Sequence, residues 1–137
     1  MAMMAVNSST WAKPVDRHGI FVYSSMCWEQ ESGDAAGYRI TIRRLKDEND
    51  SVFEYSEGPV TSLIGYDTKI DQKTQKLTFD VITDSTLQGV NETNTFSGTI
   101  TDDFIKGTFV WGAAKEKWAL RLKRVRDFSK ETPDCKG

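Results

Sequence analysis

An all-β fold, an eight-stranded antiparallel up-and-down meander closed into a β-barrel, is predicted by three observations. Apolar residues recur at every second position through successive short segments, the period of a strand with one buried face. Those segments are rich in β-branched and aromatic residues and are separated by turn-forming Gly, Asp, Asn and Pro. No stretch carries a sustained helical apolar period, so any helix is short and peripheral. Closure removes both sheet edges, which makes a barrel the economical arrangement of hairpin-ordered strands; a two-sheet sandwich is the alternative. The predicted strands are 19–27, 37–45, 51–56, 61–71, 76–83, 94–101, 104–111 and 117–126.

Residues 1–18 read as a lead-in without periodicity, in which Trp11 is a candidate plug for a barrel end. The first strand, Ile20 to Trp28, is apolar on both parities, which burial on both faces would explain. Glu29 to Gly37 follows as a loop with three carboxylates whose spacing is not that of an EF-hand, so it is read as solvated. Tyr38, Ile40 and Ile42 alternate inward on the second strand. A turn at Lys46–Asn49 sets Ile42 opposite Phe53 and Ile40 opposite Tyr55. Pro59 ends the third strand, because proline removes a ladder donor. On the fourth, Ile64, Tyr66, Thr68 and Ile70 share one face, and a turn through Gln72–Gln75 pairs them with the fifth strand, Ile70 with Leu77 and Tyr66 with Val81. Asp84 to Thr93 is the longest connection inside the sheet and exposes Leu87 and Val90.

The C-terminal meander has the most legible registers. With Asp102–Asp103 as a two-residue turn, Phe96, Gly98 and Ile100 face Phe109, Gly107 and Ile105, like against like. In the next hairpin Trp111 is set opposite Trp118, Phe109 opposite Leu120 and Gly107 opposite Leu122, leaving Arg121 and Lys123 outward. The facing glycines either mark tight coiling of the wall or leave space inside for a ligand. The inward residues are otherwise mostly large. Any internal cavity is therefore expected to be small, beside Gly98 and Gly107, and lined by Trp118 and Leu122, with Tyr38, Tyr66 and Trp111 as the other candidate ligand contacts.

The 137 residues make one domain, 19–127, followed by a tail, 128–137, and suffice for a real core. A net charge of -2 supplies no general drive toward nucleic acid. No apolar run approaches the ~20 residues of a membrane helix. Met1 to Val6 is too short for a secretory h-region. Of the basic strand residues, Arg39, Arg43, Arg121, Lys123, Arg124 and Arg126 could meet an anionic partner, or could be solvated or paired across strands. Asn7, Asn49 and Asn91 head N-x-S/T triplets on predicted loops, glycosylation acceptors in a eukaryotic secreted chain. Cys27 ends the first strand and Cys135 lies in the tail. The segment from Asp127 can span ~26 Å, so a Cys27–Cys135 disulfide is sterically open, with two unpaired thiols as the alternative.

No catalytic group is expected. The single histidine, His18, precedes the first strand, the cysteines lack a CxxC partner, and no phosphate-cradling or nucleophile-elbow motif occurs. The expectation is a non-enzymatic protein with no cofactor and no metal. Eight meandering strands, Trp118 and Arg121 in the last of them and the possible tail disulfide resemble the calycin-like barrels, the group of lipocalins and avidins, over residues 19–126. That resemblance implies a carrier of a small apolar molecule inside the barrel, and it carries over no ligand residues. The alternative partner is a protein, met through Gln30–Gly37 and Asp84–Thr93 as in a secreted or periplasmic inhibitor or immunity-type protein. A secreted or periplasmic location is expected, a cytoplasmic one being open; the pattern does not specify an oligomeric state.

Overall fold

The computed structural model describes residues 18–45, 48–85, 90–126 and 132–136. Among them are nine strands and no helix: β1 (Gly19–Ser24), β2 (Cys27–Trp28), β3 (Ala35–Arg44), β4 (Asn49–Gly58), β5 (Val60–Ile70), β6 (Lys76–Ser85), β7 (Val90–Ile100), β8 (Phe104–Trp111) and β9 (Glu116–Val125). From β3 to β9 each strand pairs antiparallel with the next. β1 pairs with β9 on one flank and β3 on the other, which closes eight strands into an up-and-down barrel to which the short β2 is added. The expected architecture is the observed one. Trp11, Asn7 and Leu87 lie outside the described residues.

The expected first strand is broken rather than buried on both faces. Phe21 and Tyr23 are buried while Ile20 is exposed, so β1 has one inner face. The Met26 amide donates to Ser24 Oγ at 3.0 Å, and the Ser25 amide donates to the Tyr38 carbonyl at 2.8 Å. The chain thus leaves β9 while staying on β3, and Met26 returns to the interior one phase later. Apolar residues of both parities record that phase change.

The β7–β8 register is as expected, Phe96, Gly98 and Ile100 facing Phe109, Gly107 and Ile105. Two other hairpins are displaced from expectation by two residues. Trp118 faces Phe109 rather than Trp111, Leu120 faces Gly107 and Leu122 faces Ile105, because the connection is only Gly112–Lys115, with Gly112 and Lys115 both at positive φ. Likewise Phe53 faces Ile40 and Tyr55 faces Tyr38. A two-residue slip leaves every side chain on its own face, so polarity alone does not detect it.

On β5 the expected inner face is wrong for half the strand. Ile64 and Tyr66 are 65% and 50% exposed, and Leu63 packs against the core instead. Between Tyr66 and Lys69 the ladder carries a bulge, with Asp67 at φ +51°, so two residues stand where β6 offers one. The bulge reverses the phase. Thr68 then points inward to Ser51, Oγ1 to Oγ 2.7 Å, and Ile70 faces Leu77 as expected. The connection expected at Asp84–Thr93 is largely ladder, since Asp84 pairs with Asn91 and Ser85 with Val90. Asn49 and Asn91 accordingly lie in strands, not loops.

One end of the barrel is sealed by polar contacts. Buried Tyr23 donates its hydroxyl to the Thr101 carbonyl at 2.7 Å, and burial pushes its pKa well above the ordinary phenol value. Arg124 pairs with Asp102 and stacks on the Phe21 ring. Arg126 reaches Asp102 at 2.9 Å and Asp103 at 3.1 Å. These bonds tie the β7–β8 turn to the end of β9.

Cys27 and Cys135 are joined in a disulfide across 108 residues of sequence, with their Cα atoms 4.8 Å apart. Around it the Trp28 amide donates to the Pro133 carbonyl and the Cys135 amide to the Trp28 carbonyl, each at 2.8 Å, so the tail lies parallel against β2. A disulfide of this kind fits an oxidising environment.

Candidate functional site

Away from the sealed end the inward positions are aromatic on four strands, because the alternation of β3, β4, β8 and β9 places Tyr38, Phe53 with Tyr55, Trp111 and Trp118 at neighbouring heights. They surround a cleft of about 460 Å³, lined by these five rings and by Ala119. The Tyr38 and Trp118 rings stand 5.2 Å apart and Trp111 and Trp118 5.6 Å, while Tyr55 meets Trp111 edge-on at 6.2 Å. Phe109 closes the floor, fully buried, 4.6 Å from Phe53 and 5.0 Å from Trp118. Tyr38, Tyr55, Trp111 and Trp118 remain partly exposed, so the upper rings meet solvent while the floor does not.

A buried amide fixes one wall. Asn94 is fully enclosed; its Oδ1 accepts the Gly112 amide at 2.7 Å, and its Nδ2 donates to the Val81 carbonyl and to Thr83 Oγ1. This holds the turn that follows Trp111. Among the described residues the cleft lining contains no carboxylate, histidine, thiol or lysine. Apart from two phenol hydroxyls and an indole N–H at Trp111 and at Trp118, it offers π surface.

Of the candidate ligand contacts, the structure brings Tyr38, Trp111 and Trp118 together and scatters the rest. Tyr66 stands on the outer face of β5. Leu122 is wholly inside the core. Gly98 and Gly107 enclose no space: a Cβ on Gly107 would lie 2.6 Å from Phe96 Cζ, 2.6 Å from the Ser97 carbonyl oxygen and 2.7 Å from Gly98 Cα. The two strands approach backbone to backbone there, and the Phe96 ring fills what the glycines leave. The space beside that pair is a groove of about 570 Å³ on the outer face, among exposed Lys106, Thr108, Ala119 and Arg121 and without Trp118 or Leu122, while the aromatic cleft lies toward the open end.

Phe53 and Tyr55 were not among the candidate contacts, although their spacing was visible. Placing Tyr55 opposite Ile40 rather than Tyr38 put it out of reach of Trp111. Nothing about Ala119, a small residue on the outer parity of β9, marked it. No family model, curated protein or solved structure matches this chain.

Proposed function

We propose that this chain is a non-enzymatic binding protein that takes a small, flat, apolar molecule into the aromatic cleft. The observation that carries this is the cleft itself. Its 460 Å³ falls in the range of small-ligand sites, roughly 300–1,000 Å³, and five aromatic rings line it. Each ring already has its neighbours at stacking distance, which holds the walls in place before a ligand arrives. The calycin-like reading agrees in kind, an up-and-down barrel with a ligand at its mouth, and differs in depth, since the interior below Phe53 and Phe109 is packed. A disulfide-stapled chain of this type suits a secreted or periplasmic setting.

The experiment is a fluorescence titration with N-phenyl-1-naphthylamine. Saturable quenching of tryptophan emission, weakened about tenfold or more by Trp118→Leu and unchanged by Tyr66→Ala, is the expected result. Quenching that does not saturate, or that Tyr66→Ala removes, excludes the cleft as the site.

A further inference from the structure

The wall of the barrel has a gap that the cleft opens onto. β1 accompanies β9 only from Val22 opposite Val125 to Ser24 opposite Lys123; beyond Ser24 the chain leaves β9 and stays on β3 as β2, whose other edge carries the tail at Pro133–Cys135. From Glu116 to Leu122, β9 has a strand partner on its β8 side only. In an antiparallel ladder successive residues aim their backbone groups at alternate neighbours. The Arg124 amide donates to the Asp103 carbonyl on the β8 side, so Leu122, Leu120 and Trp118 also face β8. The N–H and C=O groups of Lys117, Ala119 and Arg121 therefore face the gap, and among the described residues nothing pairs with them.

The same stretch carries unmatched charge. Of the basic strand residues, Arg39 pairs with Glu54, Arg43 with Asp50, and Arg124 and Arg126 with the Asp102–Asp103 turn. Arg121 and Lys123 have no carboxylate within ion-pair distance among the described residues, nor have Lys106 and Lys117. Arg121 stands directly opposite Lys106, like against like. Like charges across a ladder repel, in a chain whose net charge is -2.

The geometry points to β9 as a docking edge for an extended segment of a protein partner, one that alternates acidic and apolar residues. The segment adds as a strand along Lys117–Arg121, its backbone meeting the groups that face the gap. Its carboxylates lie on the outer face beside Lys117, Arg121 and Lys123. Its central inward side chain reaches the cleft at Ala119 and lies against the contacting Tyr38 and Trp118 rings. A second copy of this chain is the poorer occupant, because pairing β9 with itself sets basic residues against basic residues. Only the placement of the central inward side chain rests on the cleft reading of the previous section; the strand addition does not.

Amide hydrogen exchange on the full chain tests it first. In the free protein the Ala119 and Arg121 amides should exchange fast while those of Leu120 and Leu122 are protected; equal protection of all four overturns the proposal. The probe is a capped peptide of about seven residues, glutamate alternating with valine and with one central phenylalanine. It should protect Ala119 and Arg121, bind more weakly as salt rises, and lose about tenfold in affinity against Lys117→Glu/Arg121→Glu, which in turn should favour the lysine-for-glutamate peptide. A peptide N-methylated on the edge-facing amides should not bind. Binding without protection of these two amides, or indifferent to charge reversal, overturns the proposal. If the central phenylalanine is replaced by alanine and protection persists at reduced affinity, the edge and the cleft both stand. If affinity is unchanged, the cleft reading fails and the edge stands.

Discussion

Replacing Gly107 by alanine separates two physical pictures of the barrel wall by the sign of its effect. In an open interior the substitution removes backbone freedom from the unfolded chain and should stabilise by about 0.4–1 kcal/mol, since the glycine φ is not in the left-handed region. In the observed wall the new Cβ meets the Ser97 carbonyl oxygen and Phe96 Cζ at 2.6 Å and Gly98 Cα at 2.7 Å, against ordinary contacts of 3.4–4 Å. The Phe96 ring is enclosed among Phe79 and Phe109 at 5.2 Å each, and two of the three clashing groups include backbone, so relief requires β7 and β8 to separate. Overpacking of that kind costs typically 1–3 kcal/mol, and the small entropic gain does not offset it. Urea unfolding followed by tryptophan emission, at unchanged m-value, should show Gly107→Ala less stable by about 1–3 kcal/mol. A variant as stable as the parent, or more so, would refute the close-approach account.

Four further outcomes follow from single contacts. Phe109→Ala removes the ring shared by Phe53, Phe79, Phe96, Trp111 and Trp118 and should cost about 3–5 kcal/mol in the same unfolding experiment. Reduction of Cys27–Cys135, which closes a 108-residue separation, should lower stability by about 2–4 kcal/mol, and thiol titration of the unreduced native protein should find no free thiol. Tyr23→Phe leaves the buried Thr101 carbonyl without its side-chain donor and should cost about 1–2 kcal/mol by denaturation. Glu54 is held below its ordinary pKa of 4.5 chiefly by its hydrogen bond from Arg39. The folded state therefore gains stability above that value and loses it as pH falls through the lower folded value, and unfolding curves of Glu54→Gln between neutral and acid pH should show a shallower loss.

The meander was legible because polarity, β-propensity and turn chemistry agree along most of the chain. The β7–β8 register could be read to the residue, since the two-residue Asp102–Asp103 turn fixes it and the glycine pair matches only one way. Registers slipped by two where the connection was longer: at Gly112–Lys115 two positive-φ residues shorten the turn, a property of the backbone that no hydrophobic pattern records. β5 failed differently. Ile64 and Tyr66 look like core by composition, and only the bulge at Asp67 explains why the residues after it, not before it, point inward. For the candidate site, the aromatics at Tyr38, Trp111 and Trp118 were visible as inward positions, but their convergence depended on the slipped registers. The glycine pair suggested space because a missing side chain says nothing about how near the opposite backbone comes.

The proposed activity is binding in one aromatic cleft and not in the interior at large. The four tryptophans make this directly measurable, because each contributes one indole N–H signal to a proton–nitrogen correlation spectrum, assignable by single Trp→Phe variants. Titration with N-phenyl-1-naphthylamine should move the Trp111 and Trp118 indole signals along saturable, matching curves and leave Trp28, which lies outside the cleft lining, in place. Shifts confined to Trp28, or spread evenly over all four signals, would contradict it.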